Sequence, residues 1–161
     1  MRTLKRRRKM NQTDYSKRIK LLKSGVPRVV FRKTNKYVTA QYVTSKGAID
    51  KVEIGVSSKA LLNHGWPKGK EGSLKSIPAV YLTGFFIGKK ISEKKLETPI
   101  CDSGMIRNLR KNRFFAFLKG LKDGGVTIKC DEKHFPGEDR IKGKHLKEDF
   151  SKTFEEVKSK I

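Results

Sequence analysis

Acidic residues are scarce in the first third of this 161-residue chain. Residues 1–49 contain one acidic side chain, Asp14, against fifteen Lys and Arg, so +14 of the formal net charge of +23 falls there. Like charges at this density repel one another and weaken a compact fold unless a polyanion accepts them. Nucleic acid is the most abundant polyanion, and the counterions that it releases drive such binding. The charge distribution therefore predicts a nucleic-acid partner.

Cysteines and long apolar runs are scarce as well. The two cysteines, Cys101 and Cys130, are far apart in the sequence, which argues against a disulfide framework and favours a reducing compartment. No apolar run approaches the roughly 18 residues that a membrane span requires, and the start of the chain lacks the apolar core of a secretory signal. A membrane-surface helix is disfavoured because Leu4 is the only apolar residue within Arg2–Lys9. These absences predict a cytoplasmic protein without a membrane partner.

The sequence also lacks the patterns that accompany metal sites and catalysis. Four side chains could in principle ligate zinc: Cys101, Cys130, His134 and His145. Their spacing contains neither of the close Cys or His pairs that mark structural zinc sites. Asp102 and Asp123 are separated by a Phe-rich segment, so they do not suggest a nuclease carboxylate cluster. We therefore expect no metal, no cofactor and no catalytic residue.

The hydrophobic periodicity predicts an α/β fold, in which helices pack on a mixed sheet that begins with an antiparallel meander. Helices are predicted over 12–24, with Thr13 as N-cap, over 76–93, and from Asn112 to Gly124. Strands are predicted over 28–32, 36–44, 49–57, 98–102 and 126–129. The order strand, helix, strand in the middle of the chain indicates a parallel crossover. The expected organisation is a basic arm over 1–11, one α/β domain over 12–146 and a C-terminal amphipathic helix over 147–161.

Three regions supply candidate RNA-binding residues. The arm contributes Arg2, Lys5, Arg6, Arg7, Arg8 and Lys9. The face of the first two strands that is opposite the apolar face contributes Arg28, Arg32, Tyr37, Thr39 and Gln41. A Gly/Lys-rich loop over 64–75 contributes Trp66, Lys68 and Lys70. Arginine binds phosphate and aromatic rings stack on bases, although an ordinary solvated face and a flexible surface loop are the simpler alternatives.

Seven short motifs in a fixed order resemble the 5S-rRNA-binding large-subunit ribosomal protein, universal large-subunit protein eighteen, in its archaeal/eukaryotic form. The resemblance covers about residues 13–146. The motifs are Thr13-Asp14-Tyr15-x-x-Arg18 with Leu21 to Arg28, Ala40-Gln41, Gly65-Trp66, Pro78 to Gly84, Asp102-x-Gly104, Lys119-Gly120-x-x-Asp123-Gly124-Gly125, and Phe135-Pro136 through Gly143. Pro67 and Ser103 depart from the family pattern.

The resemblance implies an α/β protein without enzymatic activity. It implies binding to 5S rRNA in the central protuberance of the large subunit, with the arm reaching the large-subunit rRNA and with ribosomal proteins as neighbours. Carried over by position, the RNA contacts are Tyr15, Arg18 and Arg28, followed by Asn35, Gln41 and Trp66. A basic RNA-processing or RNA-modifying enzyme and a DNA-compacting protein are the alternative functions.

Overall fold

The computed structural model of the protein describes residues 6, 10, 12–107, 109–146 and 150–161. Within these residues the α-helices are α1 (Tyr15–Lys23), α2 (Ile77–Glu93), α3 (Arg113–Asp123), α4 (Glu138–Lys142) and α5 (Ser151–Lys160). The strands are β1 (Arg28–Lys33), β2 (Val38–Lys46), β3 (Ile49–Ser57) and β4 (Ile100–Asp102). Short 3-10 helices cover Ser58–His64, Lys68–Ser73 and Glu132–His134.

The four strands form one mixed sheet in the order β3-β2-β1-β4. The β1–β2 and β2–β3 pairs are antiparallel, whereas β4 pairs with β1 in parallel. The chain leaves β3, runs through α2 and returns at the opposite edge of the sheet. The predicted meander, the parallel crossover and the packing of helices on a mixed sheet are therefore confirmed.

The predicted strand over 126–129 is wrong. That segment belongs to no strand ladder, yet Val126, Ile128 and Cys130 all pack on the hydrophobic core. Alternate side chains reach the core while the backbone pairs with no strand, so an alternating apolar pattern arises without a sheet. Pattern alone does not distinguish the two cases.

The hydrophobic core lies between one face of the sheet and helices α2 and α3. The strand residues Val29, Phe31, Val38 and Ala40 are fully buried there, and the ring of Phe31 lies 4.8 Å from that of Phe117. A second hydrophobic cluster covers the other side of α2 and includes residues of the 3-10 segments, α4 and α5.

Helices α2 and α3 approach closely because glycines face each other across their contact. A Cβ atom added at Gly84 would overlap the Phe117 carbonyl oxygen, and one at Gly120 would overlap that of Tyr81. The Tyr81 hydroxyl of α2 donates a hydrogen bond to Asp123 at the end of α3, at 2.5 Å. Two of the seven motifs therefore form one helix–helix contact.

A register shift between β2 and β3 changes which face of the sheet Val52 occupies. Tyr42 pairs with Ile54, but the next residue, Val43, pairs with Val52, so β3 contains one extra residue, as in a β-bulge. Simple alternation along β3 would place Val52 on one face with Ile54 and Val56, but the one-residue slip moves its side chain to the opposite face. Val43 and Val52 instead point to the second face, where the candidate site lies.

Candidate nucleic-acid interface

The second face of the sheet is partly covered by α1 and by the segment that follows β4. A cavity of about 450 Å³ lies between them. Its floor includes Val30, Gln41, Val43 and Val52. Cationic side chains line it as well: Lys17, Arg18, Arg28, Arg32 and Lys33. The polar face predicted from the strand alternation is thus a partly roofed cavity with an apolar floor.

Helix α1 begins after Asp14, whose carboxylate accepts a hydrogen bond from the Lys17 backbone N–H at 3.2 Å. Asp14 is the N-cap, so the prediction of Thr13 at that position is wrong. No residue of α1 is buried, and Tyr15 and Ile19, which recur at helical spacing with Leu22, are exposed. Other side chains of α1 must therefore hold the helix on the sheet.

The first of these contacts is a charge cluster around Asp50. The Arg28 guanidinium donates to one carboxylate oxygen of Asp50 at 2.8 Å, and Arg18 of α1 donates to the other at 2.9 Å. The Ser45 hydroxyl also donates to Asp50, at 2.8 Å, and accepts a hydrogen bond from Arg28 at 3.0 Å. One carboxylate therefore links α1, β1 and the β2–β3 hairpin.

The second contact is a cluster around Asp102 at the end of β4. Arg32 donates to one oxygen of this carboxylate at 2.7 Å, and the Gly104 N–H donates to the other at 2.9 Å. The Lys17 ammonium lies 3.6 Å from the same carboxylate and donates to the Gly104 carbonyl at 3.0 Å. Gly104 has φ +58°, and a Cβ there would lie 2.8 Å from an Arg32 nitrogen. Both defined residues of the motif Asp102-x-Gly104 therefore belong to this cluster.

Both carboxylates stay ionised under the influence of these cations. Burial alone would raise the pKa of Asp102, but hydrogen bonds from Arg32 and Gly104 and the Arg32 and Lys17 charges outweigh it and lower the pKa. At Asp50 burial is likewise outweighed, here by hydrogen bonds from Ser45 and Arg18 and by Arg28, so its pKa is also lowered. The site is therefore a set of cations joined through two charged carboxylates.

The structure brings several predicted residues together. Arg18, Arg28, Arg32 and Gln41 line the cavity. Arg28 is 4% exposed, so it stands behind the surface, whereas Gln41 is open to solvent. The exposed fractions of the Lys17, Arg18 and Arg32 side chains are 40%, 34% and 47%.

Other predicted residues lie elsewhere. Tyr37 precedes β2 and packs on the second hydrophobic cluster, with the Lys59 ammonium 4.6 Å from the centre of its ring. The strand alternation predicted that Tyr37 shares a face with Arg28, but this packing shows that it does not. Thr39 lies in β2 and its hydroxyl is 3.5 Å from the Arg32 carbonyl. Asn35 is exposed in the turn between β1 and β2.

The loop around Trp66 is folded. Trp66 is 3% exposed, its ring lies 4.8 Å from that of Phe150, and its indole N–H donates to the Lys70 carbonyl at 3.2 Å. The ring is therefore packed in the second cluster, and the prediction that it contacts RNA finds no support. Lys68 is exposed, and Lys70 places its ammonium 5.5 Å from the centre of the Phe150 ring.

Most of the predicted basic arm falls outside the described residues. Arg2, Lys5, Arg7, Arg8 and Lys9 lie there, while Arg6 is described and is exposed. The assignment of the arm to RNA binding stays a prediction.

Sequence reasoning missed three members of the site: Lys17, Asp50 and Asp102. Asp50 and Asp102 offered a usable signal, because a carboxylate in a strongly basic sequence is a natural counter-ion for its cations. The acid–glycine spacing of Asp102-x-Gly104 was a second signal, but only the fold shows that Arg32 and Lys17 meet there.

Comparison with known proteins places the chain in a family. The profile described as "Ribosomal large subunit proteins 60S L5, and 50S L18" matches residues 1–98. Large ribosomal subunit protein uL18 of Korarchaeum cryptofilum is 40% identical over 141 residues, which are 88% of this chain and 70% of that protein. The uL18 proteins of Methanoregula boonei and Methanoculleus marisnigri are 38% and 39% identical, over 88% and 89% of this chain and 79% of each relative. The chain belongs to the uL18 family.

Members of the uL18 family are structural components of the large ribosomal subunit and not enzymes. The chain accordingly acts in translation, within the ribosome in the cytoplasm. Among the described residues, no three His, Cys, Asp or Glu side chains form a group that could hold a metal ion. No helix of the described part of the chain has the length and apolar character of a bilayer span.

Proposed function

We propose that this chain binds 5S rRNA and helps to attach it to the large-subunit rRNA in the central protuberance of the large subunit. The proposal joins family membership to the resemblance of the motifs. Ribosomal RNA is a polyanion, the kind of partner that the net charge of +23 predicts.

One observation carries the proposal most directly: three partly exposed cations border a single cavity. Lys17 and Arg18 extend from α1, and Arg32 extends from β1. Each is already fixed by a carboxylate at 2.7–3.6 Å, so little side-chain freedom is lost when a phosphate approaches. Cations at fixed spacing can distinguish one RNA shape from another, whereas a flexible basic tail cannot.

The arm has a complementary role in this proposal. Its six cations contact phosphates with little regard to sequence, reach the large rRNA and raise the affinity for every RNA. The sheet face and α1 supply the preference for 5S rRNA, and the outer surfaces of the domain adjoin other proteins of the central protuberance.

Competition for labelled 5S rRNA tests the proposal. Unlabelled 5S rRNA is expected to displace the label at far lower concentration than an unrelated structured RNA of equal length or duplex DNA. Equal displacement by the unrelated RNA would overturn specific binding to 5S rRNA. Equal displacement by duplex DNA would favour a DNA-compacting protein.

Paired variants then locate the preference. Arg18→Ala combined with Arg32→Ala is expected to reduce the ratio of the affinity for 5S rRNA to the affinity for the unrelated structured RNA. Lys36→Ala combined with Lys46→Ala removes the same charge from exposed positions outside the cavity and should weaken both affinities alike. An unchanged ratio in the first pair would show that the preference arises elsewhere.

A further inference from the structure

The cavity under α1 has a shape and a lining that phosphate binding alone does not require. Its volume is about 450 Å³, within the range of pockets that hold small organic ligands. Exposed residues contribute to its lining, including Gln12, Lys33 and Gln41, so the space is open to solvent. A surface that only neutralised phosphates would gain nothing from such a recess.

The lining combines two kinds of chemistry. Val30, Val43, Val52 and Leu21 present apolar surface, and Gln41 places on β2 an amide that can both donate and accept hydrogen bonds. The lining also contains the five cationic side chains described above. Three carboxylates accompany them: Asp14, Asp50 and Asp102. A ligand that fits has a flat apolar body, a polar edge and an adjacent negative charge.

We propose that the cavity accepts the base of one unpaired nucleotide of the bound RNA. The base lies against the valines, its polar edge bonds with Gln41, and its flanking phosphates contact Arg18 and Arg32. This inference rests on the proposed function, since it specifies how that RNA is recognised. Unstacked bases in bulges and loops are the features by which proteins read RNA, because the major groove of an RNA duplex is too narrow.

A fully paired RNA stem would not fill the cavity, since its bases are stacked and covered by the backbone. An unpaired nucleotide loses little stacking on entry, which makes bulged RNA the preferred ligand. The cavity therefore distinguishes two RNAs of nearly equal charge.

Two RNA hairpins test the inference. One carries a single bulged 2-aminopurine, a fluorescent base, in its stem, and the other has the same stem fully paired. The protein is expected to bind the bulged hairpin about tenfold more tightly, the order that contacts to one base contribute. Fluorescence should rise as the base leaves the stack. Equal affinity for the two hairpins would overturn the inference.

Filling the cavity supplies the decisive variant. Val30→Phe adds bulk to the floor without changing a charge, and it should abolish the tenfold ratio while the salt dependence of binding stays the same. Val26→Phe is the matched control, because Val26 is exposed and does not line the cavity. If Val30→Phe retains the ratio, the base does not enter.

Two further measurements separate the possible failures. Thermal unfolding shows whether Val30→Phe folds, and if it does not, Gln41→Leu at an exposed strand position takes its place and should lower the ratio. The 5S rRNA competition runs in parallel. If the unaltered protein shows no preference for 5S rRNA, the proposed function is wrong. If it shows that preference but the variant keeps the same ratio of affinities for the two hairpins, only the cavity inference is wrong.

Discussion

The guanidinium of Arg28 lies between Asp50 and Ser45 at the back of the cavity. A buried cation of this kind stabilises the fold as long as its partners remain, and its removal leaves a carboxylate short of its nearest counter-charge. Because only 4% of its side chain is exposed, RNA at the proposed interface would contact the outer members of the cluster and not Arg28 itself. Arg28 therefore supports the interface from behind.

Replacing Arg28 with alanine should lower the free energy of unfolding by about 2 kcal/mol. Breaking a fully buried ion pair costs about 3–5 kcal/mol, but Asp50 is 30% exposed and keeps Arg18 and Ser45, so the loss is smaller. Urea unfolding of the variant measures it, with Lys36→Ala as a surface control expected to stay within about 0.5 kcal/mol. Stability equal to that of the control would show that Arg28 is not part of the folded framework.

The lowered pKa values of Asp50 and Asp102 make the stability of the fold decrease at low pH. The pKa of each is below its ordinary value of 3.8 in the folded protein, so each contributes stability above the unfolded-state pKa. That contribution disappears as pH falls through the folded-state pKa.

We therefore expect the unfolding midpoint to fall as the pH is lowered from about 5, where the unfolded chain begins to take up protons, until the folded-state carboxylates with their lowered pKa are protonated as well. Asp102→Asn should be less stable at neutral pH and should show a shallower decline in acid. Thermal unfolding at a series of pH values measures both. A decline as steep in the variant as in the unaltered protein would assign the acid sensitivity to other carboxylates.

At the scale of elements, α1 is attached to the sheet by charge. It has nine residues and none of them is buried, and a helix this short is marginal in water without tertiary contacts. Lys17 and Arg18 supply the main polar contacts through Asp102 and Asp50. Local stability should therefore differ greatly between α1 and the buried helices.

Hydrogen exchange should reveal this difference. We expect the amides of α1 to exchange faster than those of α2, and Asp50→Asn combined with Asp102→Asn should speed exchange in α1 further. Protection in α2, whose contacts are apolar, should change little. Unchanged exchange in α1 of the double variant would mean that apolar contacts hold this helix.

The contact between α2 and α3 depends on the absence of side chains. Gly120→Ala should destabilise the protein by about 3 kcal/mol or more, because the new methyl group meets the Tyr81 carbonyl, a backbone atom that cannot rotate away. Gly55→Ala is the control, since a Cβ at Gly55 would meet nothing within 4 Å. Urea unfolding measures both variants. Equal stabilities would mean that the helices can separate without cost.

The sequence predicted elements well where local pattern determines them. The meander, α2 and α3 follow from clear periodicity, and Asn112 does cap α3 by accepting the Phe115 N–H. The β-bulge that moves Val52 to the other face depends on strand pairing, which local pattern does not contain. The site shows the same division: Arg18, Arg32 and Gln41 were predicted, but their carboxylate partners come from distant parts of the chain.

At the scale of the whole molecule, binding should depend strongly on salt. If the arm and the sheet face make about 6–10 phosphate contacts, affinity for 5S rRNA should fall by roughly three to five decades between 50 and 200 mM salt, by analogy with duplex DNA. Deleting Met1–Lys9 should flatten this slope and weaken binding to all RNAs together. Titrations at several salt concentrations measure both effects. An affinity that does not vary with salt would contradict the electrostatic account.

The arm and the interface should also be separable. The Arg18→Ala and Arg32→Ala pair should change the preference between RNAs more than the arm deletion does. Arg28 and Tyr37 are poor choices for such a test, because Arg28 is buried and Tyr37 packs on the second hydrophobic cluster. Changes at these two positions would mix loss of folding with loss of binding.

The burial of Trp66 gives the molecule an optical signal of its own. It is the only tryptophan in the chain, and its ring rests on Phe150, the residue that directly precedes α5. The wavelength of indole emission reports the polarity around the ring. Intrinsic fluorescence therefore reports whether α5 is packed against the rest of the domain, and it needs no label. The signal comes from the second hydrophobic cluster, and Trp66 does not line the cavity.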